Sequence, residues 1–155
     1  MDTKDFVEIL SAALTPLIAI IAVYIAYQQY KVNHHALRNQ LYERRHRVFE
    51  ATMSYLAEIM RHGKTDYRRV AQFYAETSEA EFLFTEKVTN HLETLYQNGI
   101  NLEELGDKLY PSDGSPGVTG DERSQATKRK ADLFKWFYRQ LSQTREIFRK
   151  DMKVG

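Results

Sequence analysis

Apolar positions along the chain change their rhythm near Lys31. Before it, Ile9 to Tyr27 form one uncharged, largely apolar run, ILSAALTPLIAIIAVYIAY. At about 1.5 Å per residue such a helix is roughly 28 Å long, close to the roughly 30 Å hydrocarbon core of a bilayer. The run therefore predicts one transmembrane helix. A buried core helix is the competing reading, and 19 residues without a charge is long for one. From Lys31 onward the apolar residues become periodic, which predicts packed amphipathic helices.

Lys31 to His62 reads as one long helix, with Leu41/Tyr42, Val48/Phe49 and Tyr55/Leu56 at heptad spacing and Ile59/Met60 beyond. Gly63 is a natural stop, and Thr65–Asp66 offers the next N-cap. A second helix, Asp66 to about Gln97, carries Val70, Phe73, Thr77, Ala80, Phe84, Val88, His91 and Leu95 at steps of three and four. Asn98–Gly99 is expected to end it. Asn101-x-x-Glu104 matches a capping box opening a short helix to about Leu109. Two prolines and three glycines in Tyr110 to Asp121 predict a surface loop. Thr119-x-x-Glu122 then opens the last helix, with Leu133/Phe134, Phe137, Leu141, Thr144 and Phe148 on one face. The expected fold is all-α: one N-terminal transmembrane helix (residues 1–30 with its tail), then an antiparallel three-helix bundle over 31–155 with a Gly/Pro loop before the last helix.

The N-terminal flank, MDTKDFVE, is acidic, and the apolar run ends in tyrosines rather than a small-x-small site, so retention as an anchor is favoured over a cleaved signal peptide. Lys31, Arg38, Arg44, Arg45 and Arg47 follow the run, which predicts an outward N-terminus and a cytoplasmic domain. Ser11, Thr15, Ala19, Ala22 and Ala26 recur at steps of 4, 4, 3 and 4. That places small residues on one helix face, where two backbones can approach closely.

Charge is segregated along the chain. Residues 31–75 carry a net +5, residues 76–122 a net −9 and residues 123–155 a net +7, hidden within a total of +1. Such blocks favour pairing between neighbouring helices. The acidic second helix argues against nucleic-acid binding. Without Cys, disulfides, thiolate catalysis and Cys-based metal sites are excluded.

An aromatic- and Gln-ended span followed by Leu41-Tyr42-Glu43-Arg44-Arg45-His46-Arg47-Val48-Phe49-Glu50, and later by Thr77-Ser78-Glu79-Ala80-Glu81-Phe82-Leu83-Phe84, resembles a family of small, uncharacterised bacterial membrane-anchored proteins. Its pattern is a span, then L-[FY]-[ED]-x-R-x-x-V-[YF]-E, then E-A-E-F-L-F. The resemblance implies a bacterial inner-membrane setting and a helical fold, and brings no activity with it.

Candidate chemistry is sparse. Glu43-x-x-His46 has di-iron helix spacing but lacks the second Glu-x-x-His that such a site requires, so a solvated face is favoured. His34 and His35 point about 100° apart on a helix. No nucleophile elbow or phosphate loop is present. Glu76, Glu79, Glu81, Phe82 and Leu83 suggest either a wet-backed core stripe or a docking surface for a basic protein. Arg129, Lys130, Lys135 and Arg139 surround Trp136, Phe137 and Tyr138, suiting either a lipid surface or bundle packing.

The expected function is a non-enzymatic, membrane-anchored interaction module that binds the lipid bilayer, self-associates and recruits a cytosolic protein. It needs no cofactor or metal. The alternative is a small membrane-perturbing effector, toxin- or pore-like, acting through an oligomerised span.

Overall fold

The computed structural model describes residues 3–152, and side chains from residue 14 on except those of 15 and 33–35. The helices are α1 (Thr3–His62), α2 (Tyr67–Thr77), the single-turn α3 (Ala80–Leu83), α4 (Glu86–Leu109) and α5 (Gly120–Asp151). No strand occurs among the described residues. The chain divides into two compact units, Met1–Gln40 and Leu41–Gly155.

The first unit is helical, and its described apolar side chains are exposed. Leu17, Ile18, Ile20, Ile21 and Val23 are all at least half exposed. The expected membrane span is corrected here: among the described residues no helix is long and apolar enough to cross a membrane. The described side chains of the apolar stretch run from Leu14 to Tyr27, shorter than the about 20 residues that a span needs. With the span go the expected N-outside orientation and the inner-membrane location.

The second unit holds the core. Val48, Tyr55, Leu56 and Ile59 of α1 meet Val70 and Phe73 of α2, Val88, Leu92, Leu95 and Leu102 of α4, and Phe137 and Phe148 of α5, all buried. Contact pairs give the directions. Phe49 lies against Phe148 and Arg45 reaches Asp151, so α1 and α5 are antiparallel. Tyr55 stacks on Phe73, with ring centroids 4.3 Å apart, while Arg44 meets Glu79, so α2 descends beside α1. Tyr74 against Tyr96 with Val70 beside Gly99 makes α4 antiparallel to α2, and His91 against Thr144 with Lys108 against Glu122 makes it antiparallel to α5. Three long helices were expected; four helices and one extra turn are found.

The difference arises at residues 77–85, where the expected second helix breaks. Thr77 Oγ1 donates back to the Phe73 carbonyl (2.8 Å) and Ser78 Oγ to that of Ala75 (2.9 Å). These side chains compete with the backbone ladder at the end of α2. Thr85 then adopts an extended conformation ahead of α4. The Asp151 carboxylate accepts from its amide (3.0 Å) and hydroxyl (2.7 Å).

Two further sequence expectations are revised. Asn98–Gly99 does not end a helix, and Asn101-x-x-Glu104 does not start one, because α4 runs unbroken through both. Gly99 is buried there, and a Cβ at that position would collide with the Tyr55 hydroxyl. Its role is a notch for a ring, which no local signal discloses. The Thr119 side chain makes no cap bond at the start of α5. Gly63 and Asp66 act as read: α1 stops before Gly63, whose φ is +65°, and Asp66 Oδ1 accepts from the Arg69 amide at 2.8 Å.

Candidate interaction surfaces

The basic run after the apolar stretch separates into two kinds of residue. Lys31 and Arg47 are exposed and Arg38 is half-buried. Arg44 and Arg45 are bundle residues. Arg44 Nε donates to Glu79 Oε2 at 3.0 Å. Arg45 donates to the Leu83 carbonyl (2.9 Å) and to the Asp151 carbonyl (2.7 Å), with its guanidinium over the Phe84 ring. Charge-assisted bonds to carbonyls left open at two helix ends fasten α1 to α3 and α5. The two sequence motifs, around Arg44–Arg45 and around Glu79–Leu83, are thus halves of one contact.

The same contact sorts the candidate docking residues. Glu76 is engaged by Arg69 (3.4 Å) and by Gln72 (2.7 Å), and Glu79 by Arg44. Leu83 belongs to the core, only 6% exposed. Glu81 is exposed, and Phe82 is 82% exposed, the most exposed of the large hydrophobic side chains described. The sequence segment therefore contributes one aromatic knob with acidic neighbours rather than a continuous face. The knob stands on a firm turn, since Phe82 N donates to Glu79 O (3.1 Å) and Phe84 N to Ala80 O (3.0 Å).

Of the small-residue face, the side chains of Ser11 and Thr15 lie outside those described, while Ala19, Ala22 and Ala26 are exposed. His34 and His35 also lie outside the described side chains. His46 Nδ1 lies 3.4 Å from Glu50. Among the described residues no group of three or more His, Asp or Glu side chains converges as metal ligands would.

A surface less visible in the sequence lies between α4 and α5. It is an open cleft of about 680 Å³ with Leu105, Leu133 and Trp136 among its apolar lining and Arg129 and Arg139 among its charged residues. That volume falls within the roughly 300–1,000 Å³ typical of binding clefts. Lys108 on the same rim is engaged by Glu122 at 2.6 Å. Trp136 is half-buried, its ring edge-on to Phe137. The interleaving of arginines and aromatics in α5 was the signal for it. The α4 wall was missed because residues 98–109 were read as a helix end and a separate short helix rather than as the continuation of α4.

Buried polar atoms occur in α1, in the 63–66 turn and in α4. Tyr55 is fully buried, and its hydroxyl, Thr65 Oγ1 and Glu103 Oε2 lack a partner of ordinary hydrogen-bond geometry. Burial is the main reason that the Tyr55 hydroxyl is pushed up to about 12, with the Thr65 hydroxyl and the Arg69 guanidinium pulling the other way. Arg69 lies over the Tyr55 ring and binds Glu58 at 2.6 Å. Desolvation also raises Glu103, helped by nearby Asp107, Glu104 and Asp66 and opposed by Tyr67.

No protein-family model matches the chain, and no curated protein or solved structure is similar enough to count as a relative.

Proposed function

We propose that this chain is a non-enzymatic, self-associating helical module that carries a docking surface for a protein partner. The observation that carries this reading is the state of residues 14–27. Leu14, Leu17, Ile18, Ile20, Ile21, Val23 and Ile25 are between 47% and 70% exposed. Successive residues on a helix are about 100° apart, so 17, 18, 20 and 21 present apolar surface in several directions. A helix that is apolar all round gains by burial, and a contiguous exposed apolar patch of this kind marks an interaction site. A second copy supplies a matching surface by construction. Ala19, Ala22 and Ala26 share one face of the helix, which allows close approach of a partner backbone and dense dispersion contact.

Crosslinking of the full chain in intact cells, followed by mass determination, tests the reading. Self-crosslinked species are expected, and Ala19→Leu with Ala22→Leu should weaken them by filling the close-approach face. A chain that stays monomeric at every expression level overturns the proposal.

A further inference from the structure

Two features of the Leu41–Gly155 unit complement each other and cannot meet within one copy. Phe82 projects from α3 with Glu81 and Glu86 beside it, both exposed and neither in an ion pair among the described residues. The α4–α5 cleft offers Trp136 and Leu133 for a ring; its lining also holds Arg129 and Arg139, neither in an ion pair among the described residues, together with Glu104 and with Asp132, which is paired with Lys135 at 3.8 Å. The knob sits at the start of α4 and the cleft at residues 98–108, about 25 Å along a helix rising about 1.5 Å per residue. They also flank different sides of α4, since α3 packs on one groove and α5 closes the other.

We infer that Phe82 of one copy docks in the α4–α5 cleft of a second copy, with Glu81 and Glu86 facing Arg129 and Arg139. The α5 wall of the cleft belongs to residues 123–155, which carry +7, while its α4 wall belongs to the acidic residues 76–122. Opposite charges around an apolar contact steer encounter and fix register. In a two-fold pair each copy's Phe82 would enter the other's cleft, whereas a one-way contact would run head to tail; the crosslink reads the contact in either geometry. This inference rests on the self-association proposed above but uses a different surface.

The natural chain has no cysteine, so single-cysteine variants give an unambiguous test. Full-length Glu81→Cys and Arg139→Cys proteins are mixed and treated with a short bis-maleimide. A mixed 81–139 product is expected, with neither an 81–81 nor a 139–139 product from either variant alone. Adding Phe82→Ala to the Glu81→Cys chain should cut the mixed product at least tenfold. Phe82 is exposed, so that variant keeps its fold. Adding Arg129→Glu to the Arg139→Cys chain should do the same from the other side. A mixed product indifferent to Phe82, or a dominant 81–81 product, overturns the inference. A third cysteine variant, Ala22→Cys, reports the N-terminal contact separately. If 22–22 products persist while 81–139 products are absent, only the knob-and-cleft contact fails. If the reverse holds, the N-terminal reading fails and this contact stands.

Discussion

The two ends of α1 are both rich in apolar residues and meet opposite fates. In the Met1–Gln40 unit, Ile20 is 68% exposed and Val23 70%. In the Leu41–Gly155 unit, Tyr55 and Leu56 are fully buried and Ile59 nearly so. Arrangement separates them more than content. After Leu41 the apolar residues fall on a stripe, and neighbouring helices of the same chain cover a stripe. Before Gln40 they surround the helix, which demands more apolar surface than one packed face provides. Burial in one unit thus stabilises the monomer, while exposure in the other is available for association.

The most forceful way to test that contrast is truncation on each side of it. Phe137 is fully buried, so Phe137→Ala should cost about 3–5 kcal/mol through lost transfer energy and a residual cavity. Ile20→Ala should change the stability of an isolated copy by no more than about 0.5 kcal/mol, as exposed substitutions do. Urea denaturation of dilute protein measures both. Equal losses would break the comparison.

A finer contrast lies two residues apart within the basic run. Arg45→Ala removes charge-assisted bonds to the Leu83 and Asp151 carbonyls and should cost about 1.5–3 kcal/mol. Arg47 is exposed, and Arg47→Ala should be close to neutral. Thermal unfolding of the two variants side by side distinguishes them. A comparable effect of both would mean that Arg45 serves charge rather than position.

Gly99 and Tyr55 supply a coupled pair. Gly99→Ala places a methyl group against the Tyr55 hydroxyl and should cost about 1–3 kcal/mol by overpacking. Tyr55→Phe deletes that hydroxyl, which has no well-formed partner to lose. The cost of Gly99→Ala should therefore shrink in the Tyr55→Phe background, and a double-mutant cycle reads the difference. Additive effects would place the clash elsewhere.

What could be read from sequence divides along the same physical line. Gly63 and Asp66 were legible because a helix stop and an N-cap are decided within a few residues of chain. The buried stripe from Val48 to Ile59 was legible because period alone sets a face. Gly99 was misread because a glycine that accommodates a distant ring has the same local signature as one that ends a helix. The break before α4 stayed hidden because the carboxylate at Thr85 comes from Asp151, 66 residues away. Phe82 and Leu83 were read together, as a core stripe or as a docking surface, but the short α3 turns Leu83 inward and leaves Phe82 outside. The membrane span was inferred from summed apolar length, whereas among the described residues no helix is long and apolar enough to cross a membrane.

The smallest expected effect is a pH dependence confined to the packed unit. His91 Nε2 lies 2.8 Å from Thr144 Oγ1 between α4 and α5, and burial lowers its pKa from the ordinary value. As pH falls through about 6.5, the unfolded chain takes up a proton that folded His91 still refuses. The unfolded state then binds more protons, so stability declines with falling pH and levels off once the folded imidazole also protonates. His91→Gln retains a polar partner for Thr144 and removes the titration. Urea midpoints compared between about pH 7.5 and about pH 5 should therefore move less for His91→Gln than for the natural chain. Equal movement would assign the acid sensitivity to other groups and leave the α4–α5 contact without a proton-linked element.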